Sequence, residues 1–366
     1  MKIEHLSLRN FRNAEESEIG FSEGVNIICG ANAAGKTNIL EAIFYFAAGK
    51  SFRNCKDREL IKFGNDKANA SMRFSSRNGA QKMSAVLSKS GRRAISIGES
   101  GPLKMTEYIG RFRAVIFTPD HLSLVKGSPE NRRRFLDLAI CQSFPRYAPT
   151  LSEYNRVLAQ KNALLKRGNV IDELLSVYNE RLAQLAAVIT VNRRKYVQKL
   201  EEEARKFLFD MSNGKEKLTL TYQSQIGTFE TQEEVKEKYI KLFNDKAGYE
   251  KERFLALYGS HKDDFSVSIN KKSARMYASQ GQQRSTVLAL KLAEGELSSK
   301  LTGEYPVFLL DDILSELDSD RKEYILSRIT DRQVIITGCE SDLFETDGNK
   351  IFVCEGKISD KGRECL

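Results

Sequence analysis

The sequence predicts an α/β fold, a mixed sheet with helices, carrying an inserted α-helical lobe that contains a helical hairpin. Three observations predict it. The apolar run Val25-Asn-Ile-Ile-Cys29 leads through Gly30-Ala-Asn-Ala-Ala-Gly35-Lys36-Thr37 into helical spacing at Ile39, Leu40, Ala42, Ile43, Phe44 and Phe46. From about Gly281 onward, helix and strand patterns alternate, with strands at 307–310, 334–336 and 350–354. Between these regions, Leu151 to about Phe209 reads as long-period helix, broken once at Arg167-Gly168-Asn169.

Taken in order, Met1 to about Gly30 reads as two strands, one alternating through Ile3, His5, Leu6 and Leu8 and one through Val25, Ile27 and Ile28. A β-rich meander follows the first helix, with Arg77-Asn78-Gly79 as a hairpin turn, and Arg113-Ala-Val-Ile-Phe117 is a further strand. Ser128-Pro129-Glu130 is a helix start: a capping hydroxyl, a proline in the first turn and an acid at the positive end. Leu151, Tyr154, Val157, Leu158, Leu164 and Leu165 form one apolar stripe. Leu174, Leu175, Tyr178, Leu182, Leu185, Ile189 and Val197 form the next, which predicts an antiparallel hairpin. Its second arm would be roughly 55 Å long at ~1.5 Å per residue. Strand Lys217-Leu-Thr-Leu-Thr-Tyr222, two helical stretches up to Tyr258 and the alternating strand Phe265 to Ile269 precede the final α/β stretch. The resulting division is 1–125 and 259–366 for the two parts of the α/β lobe and 126–258 for the insertion.

Composition narrows the function classes. Hydrophobic residues make up 41% and charged residues 29%, and no apolar run reaches membrane-spanning length, so a soluble cytoplasmic protein without a membrane partner is expected. Cys29, Cys55, Cys141, Cys339, Cys354 and Cys365 are scattered without C-x-x-C spacing among only three histidines, which disfavours a disulfide framework or a zinc site. The 58 Lys and Arg against 49 Asp and Glu leave a net +9, which suits a polyanionic partner and equally a well-solvated surface.

The glycine-rich stretch fits G-x-x-x-x-G-K-[ST] at every specified position and sits between a strand and a helix, as phosphate binding requires. Backbone N–H groups from Gly30, Ala31, Asn32, Ala33, Ala34, Gly35, Lys36, Thr37 and Asn38 would curl around phosphate oxygens at the positive end of the helix. Lys36 would reach the β- and γ-phosphates of ATP and Thr37 would ligate Mg²⁺. Pro306-Val-Phe-Leu-Leu-Asp311-Asp312 is an apolar strand ending in two carboxylates, the Walker B pattern. Asp311 would hold the metal, and Asp312 would orient and polarise the attacking water, with Lys36 as the other catalytic group.

Two further stretches resemble elements of ABC-type ATPases. Ser315-Glu-Leu-Asp318 resembles the D-loop, and Ala278-Ser279-Gln280-Gly281-Gln282 resembles the signature, in which Ser279, Gly281 and Gln282 would bind the nucleotide held by a second copy. Four such elements in this order imply a dimer with ATP between two heads. Across nearly the whole chain the sequence then resembles the RecF family of bacterial recombination and repair ATPases, which is related to SMC heads. The resemblance runs through Leu6-Ser-Leu-Arg-Asn-Phe11-Arg12-Asn13, the loop, Lys50-Ser-Phe-Arg53, Phe117-Thr-Pro-Asp120, Lys126 to Asp137, Gly259-Ser-His261-Lys-Asp-Asp264, Ser279 to Gln282 and Leu310 to Asp318.

That resemblance implies an ABC-type head and a slow, DNA-stimulated ATPase that forms an ATP-dependent homodimer. It would clamp double-stranded DNA at single-strand/double-strand junctions and, with RecO and RecR, promote RecA loading. Arg132, Arg133, Arg134, Arg193 and Arg194, with Lys161, Lys166, Arg167 and Lys195, suit phosphate contacts, although a solvated helix face has the same pattern. Arg12 and Arg53 are placed with the nucleotide, with DNA as the alternative. Thr118 to Asp120 holds no Q-loop glutamine, Gly338 and Cys339 stand where a switch histidine would follow its strand, and Asp312 replaces the usual glutamate. These departures argue for slow hydrolysis. They also argue against a transporter subunit, and the hairpin is too short for an SMC clamp with long coiled coils. No acidic domain follows Cys354 to make an ABC-type nuclease, and Asn270-Lys-Lys-Ser lacks the guanine-reading aspartate of a G-protein.

Overall fold

The computed structural model describes residues 1–168, 170–329, 331–338 and 348–359. Asn169, Cys339 and Cys365 lie outside the described residues. The chain divides into two compact units, Met1–His121 with Lys291–Leu366, and Leu122–Leu290, and the division falls inside the helix Gln280–Thr302.

In the first unit, short continuous apolar runs form the central sheet because both of its faces are covered. Its order is Lys357–Ser359, Asn349–Cys354, Val25–Cys29, Val334–Gly338, Val307–Asp311 and Ala114–Phe117. All pairs are parallel except the terminal hairpin Asn349–Cys354 with Lys357–Ser359. The register sets Asp311 beside Thr337 and Thr337 beside Ile28, so three strand ends meet at one edge. Helix Lys36–Ala48 leaves that edge and is buried along most of its length.

The second sheet of this unit is an antiparallel meander in the order Ala14–Gly20, Lys2–Phe11, Lys67–Ser76, Gly79–Ser88 and Arg93–Ile97. Strand Ala14–Gly20 was not expected. Its Glu15, Glu16 and Glu18 give it little strand propensity, but Ala14, Ser17 and Ile19 turn inward and the acids guard the sheet edge.

In the second unit the hairpin arms are Tyr147–Lys166 and Asp172–Met211, the latter 40 residues long. Most expected stripe residues are buried, but Leu174 is exposed on the first turn of its helix. One helix, Gln232–Arg253, stands where two stretches were expected. Ser128 occupies the N-cap of helix Pro129–Ser143 without a side-chain cap bond, so Pro129 and Glu130 supply that start. Residues 259–290, assigned on sequence to the α/β lobe, fall in this unit because Asp264–Ile269 pairs antiparallel with Leu218–Gln223.

Candidate nucleotide site

The glycine-rich loop is shaped by contacts its sequence cannot show locally. A Cβ on Gly30 would collide with the Val353 carbonyl. Gly35 has φ 115°, and a Cβ there would lie 2.8 Å from Asn13 Oδ1. Asn13 rests on the loop, donating from Nδ2 to Ala34 O (3.0 Å), while its Oδ1 accepts from Asn38 Nδ2 (2.8 Å). Ala34 O accepts a second bond from Gly356 N (2.8 Å), so the terminal hairpin braces the loop.

Lys36 is 7% exposed and folds over the loop, donating to Gly30 O (2.6 Å) and Ala31 O (3.0 Å). The first backbone bonds of its helix run from Asn38 and Ile39 to Gly35 O. The N–H groups of Gly35 and Thr37, just ahead of these, point no bond at any carbonyl among the described residues, a helix start suited to an anion.

Thr37 Oγ1 donates to Asp311 Oδ1 at 2.7 Å, and Thr337 Oγ1 lies 3.0 Å from the same oxygen. Burial pushes the Asp311 carboxyl above its ordinary pKa, and the hydroxyls of Thr37 and Thr337 pull it back. Asp312 is exposed and left-handed at φ 50°, its N–H donating to Thr337 Oγ1 (3.0 Å). A cleft of about 320 Å³ is lined by Asn32, Ala33, Gly35, Lys36, Thr37, Asn38, Arg53, Asp312 and Thr337. The loop and Asp312 thus line one cleft, and the buried Asp311 is bonded to two of its lining residues, Thr37 and Thr337.

The donor set fits Mg²⁺. Two oxygens on neighbouring octahedral positions lie about 3 Å apart at a metal–oxygen distance of ~2.1 Å, close to the observed Thr37–Asp311 spacing. No group of three or more His, Cys, Asp or Glu among the described residues could hold a metal, so the remaining ligands would be phosphate and water.

Arg12 is engaged inside its own unit. Its Nε and Nη2 grip Glu41 at 2.7 and 2.8 Å, Nη1 donates to Glu59 O (2.9 Å), and Nη2 also meets Cys55 Sγ (3.0 Å). Glu41 is fully buried and takes the Ser51 hydroxyl as well. Sequence reading missed Glu41, although one acid in an otherwise apolar helix was its signal. Arg53 remains at the cleft, donating to Asn38 Oδ1 (3.0 Å).

Ser279, Gly281 and Gln282 lie in the second unit. Ser279 is exposed and forms a reciprocal cap with Gln282: Gln282 N donates to Ser279 Oγ (3.2 Å) and Ser279 N to Gln282 Oε1 (2.9 Å).

The expected DNA contacts separate sharply, and burial corrects several. Arg132 is 5% exposed and bidentate on Asp264 (2.7 and 2.8 Å). Arg193 is 3% exposed, bidentate on Asp137 (2.8 Å twice), and donates to Ser260 O. Lys161 is fully buried 2.6 Å from Glu250. These three are internal struts rather than phosphate contacts. Arg133 donates to Asp263 O (3.0 Å), and the half-buried Arg194 stacks 3.9 Å from the Phe229 ring centroid. Arg134 is half-buried, whereas Lys166, Arg167 and Lys195 are exposed.

Residues 2–357 match the family described as RecF/RecN/SMC N terminal domain. DNA replication and repair protein RecF of Macrococcus caseolyticus is 41% identical over 98% of this chain and 100% of the relative. The chain belongs to the RecF family. The Clostridium acetobutylicum RecF is 38% identical over 98% of this chain and 100% of its own length. A solved structure of the recombination mediator protein RecF with ATP, in the RecFOR pathway, has a TM-score of 0.92 at 34% identity, covering 98% of this chain and 97% of that one. A Pyrococcus furiosus Smc head reaches 0.57 at 18% identity, over 99% and 97% of the two chains, and shares the fold. The RecF-type, ABC-ATPase head fold is therefore that of this chain.

Proposed function

We propose that this RecF-family chain is a Mg²⁺-dependent, slow, DNA-stimulated ATPase of recombinational repair. ATP binding closes two copies on duplex DNA beside a single-strand gap, and with RecO and RecR the closed dimer promotes RecA loading. Hydrolysis then resets it. The observation that supports this best is the meeting of Lys36, Thr37 and Asp312 at one cleft, with Asp311 bonded to Thr37, while the capped, exposed Ser279 stands in the other unit.

Lys36 and the loop N–H groups bind phosphate, with Asn38 and Arg53 at the rim. Thr37 and Asp311 hold Mg²⁺, which neutralises phosphate charge when bound. Asp312 orients the attacking water. Its place is the cleft wall, one residue beyond the buried Asp311. Ser279, Gly281 and Gln282 complete the site of the partner copy. No helix among the described residues is long and apolar enough to cross a membrane, and the chain acts in the cytoplasm beside its DNA partner.

The competing reading, a structural DNA clamp without RecA loading, draws on the likeness to Smc heads. Binding of RecR and RecO to the closed dimer separates the two, since a pure clamp needs neither.

Sedimentation with and without ATP and gapped duplex tests the dimer. Wild type should dimerise only with ATP, and Lys36→Arg and Ser279→Arg should each abolish it. Dimers indifferent to ATP and to both substitutions would sink the model.

A further inference from the structure

Thr337 belongs to no motif read from the sequence, yet it lies between the two halves of the cleft. Its strand is central, pairing with the Asp311 strand on one side and the loop strand on the other. The side chain is 1% exposed and lines the cleft. Its oxygen has three neighbours: Asp312 N at 3.0 Å, Asp311 Oδ1 at 3.0 Å and Leu310 O at 3.5 Å.

A hydroxyl has one proton to give. It accepts from the Asp312 N–H, so the proton goes to a carbonyl 3.5 Å away or to a carboxylate at 3.0 Å, and the shorter, charge-assisted bond wins. Thr337 therefore links the backbone of one acid to the side chain of the other. Two donors, Thr37 and Thr337, converge on Asp311 Oδ1 and fix that carboxylate. The same hydroxyl ties down Asp312, whose φ of 50° is a conformation that a non-glycine residue holds only when its surroundings impose it. Ser315 supports the carbonyl of Asp312 from the other side at 2.8 Å.

We propose that Thr337 is a positioning residue for hydrolysis, holding Asp311 and Asp312 in register through one hydroxyl. The inference rests on the reading of the cleft as an ATPase site. Among the described residues Thr337 makes no hydrogen bond to the loop residues proposed to grip phosphate, so its loss affects turnover and not nucleotide capture. A strand-end hydroxyl does here part of the organising work that a switch histidine following this strand would do. Gly338, the next residue, has no side chain to contribute.

Thr337→Val keeps the branched shape and removes the hydroxyl, and Thr337→Ser restores it. Three readouts are compared with wild type and Lys36→Ala: hydrolysis at saturating ATP, affinity for a fluorescent ATP analogue with and without Mg²⁺, and amide exchange of segment 311–315 without nucleotide. In Thr337→Val, kcat should fall at least tenfold while analogue affinity stays within threefold, and exchange of the segment should quicken at least tenfold. Thr337→Ser should recover both, and Thr337→Ala should repeat the valine result if valine packs poorly. Exchange unchanged in Thr337→Val, or kcat within twofold of wild type, overturns the positioning role while a dead Lys36→Ala upholds the site. Lys36→Ala binding nucleotide as wild type does overturns the site reading and this proposal with it.

Discussion

Asp312 and Arg193 show how little the identity of a charged residue says about its work until burial is known. Asp312 is exposed at the cleft, and Arg193 is sealed against Asp137. On the proposed role of Asp312 in orienting and polarising water, Asp312→Asn removes the charge and basicity that role needs, so hydrolysis should fall by about 10²–10⁴-fold with ATP binding retained. An unchanged turnover rate would remove Asp312 from the reaction. Arg193→Met instead leaves the partly buried Asp137 without its bidentate partner, with the Tyr147 hydroxyl still donating to it at 2.6 Å. Its expected cost is about 3–5 kcal/mol of stability, measured by denaturant titration. Asp137→Leu added to it should recover part of that loss, because the orphaned charge goes with it.

At the scale of elements, the short segment 259–264 organises the second unit. Ser260 O accepts from Arg193, and Asp264 holds Arg132. The buried Asp263 accepts from Thr190 (2.9 Å) and Tyr222 (2.6 Å). Gly259 starts the segment at φ 131°, and a Cβ there would lie 2.5 Å from the Tyr154 hydroxyl, so Gly259→Ala should cost about 2–4 kcal/mol. His261 Nδ1 lies 2.8 Å from that hydroxyl and Nε2 3.2 Å from Ala256 O, the pattern of a neutral ring that accepts at one nitrogen and donates at the other.

Burial pushes the His261 pKa down to about 4 from its ordinary 6.5, and Lys262, Arg133 and Lys161 add to the shift. The unfolded chain therefore binds this proton more readily. The stabilisation is complete above pH 6.5 and is lost as pH falls toward 4, by up to about 3 kcal/mol. Asp263, raised by burial, works in the opposite direction, so the difference between wild type and His261→Gln in melts across that range isolates the histidine. A slope identical in both would refute the assignment.

The sequence marked this segment as a motif without revealing its role, because its partners come from five separate elements, Pro129–Ser143, Tyr147–Lys166, Asp172–Met211, Leu218–Gln223 and Gln232–Arg253. The strand and helix flanking the glycine-rich loop and the strand to Asp311 were legible for the converse reason: glycine spacing and an unbroken apolar run are local properties. Arg132 and Arg193 were misread because a charge run on a helix looks the same buried or solvated. Thr337 needed strand pairings across the sheet that no local pattern encodes, and Glu41, though marked as a lone acid in an apolar helix, needed Arg12 and Ser51 from outside that helix to explain it.

For the whole molecule, the net +9 no longer translates directly into a binding face, since several of the most suggestive cations are consumed internally. What remains for phosphate must come from exposed groups, and of those named on sequence Lys166, Arg167 and Lys195 qualify. Neutralising a phosphate releases condensed counterions, so log K falls with log salt at a slope of about −0.9 per contact on duplex DNA. If all three contact DNA, Lys166→Gln, Arg167→Gln and Lys195→Gln together should make the slope shallower by roughly 2–3. Fluorescence anisotropy of labelled gapped duplex between about 50 and 200 mM salt measures it. Affinity should not depend on base sequence, because these contacts supply charge and no base code. Each substitution is on an exposed side chain, so melting temperature should hold, and a lost slope cannot then be blamed on unfolding. A slope unchanged by the triple variant would move the DNA contacts to other exposed cations of the chain and leave the nucleotide cleft, which shares none of these residues, untouched.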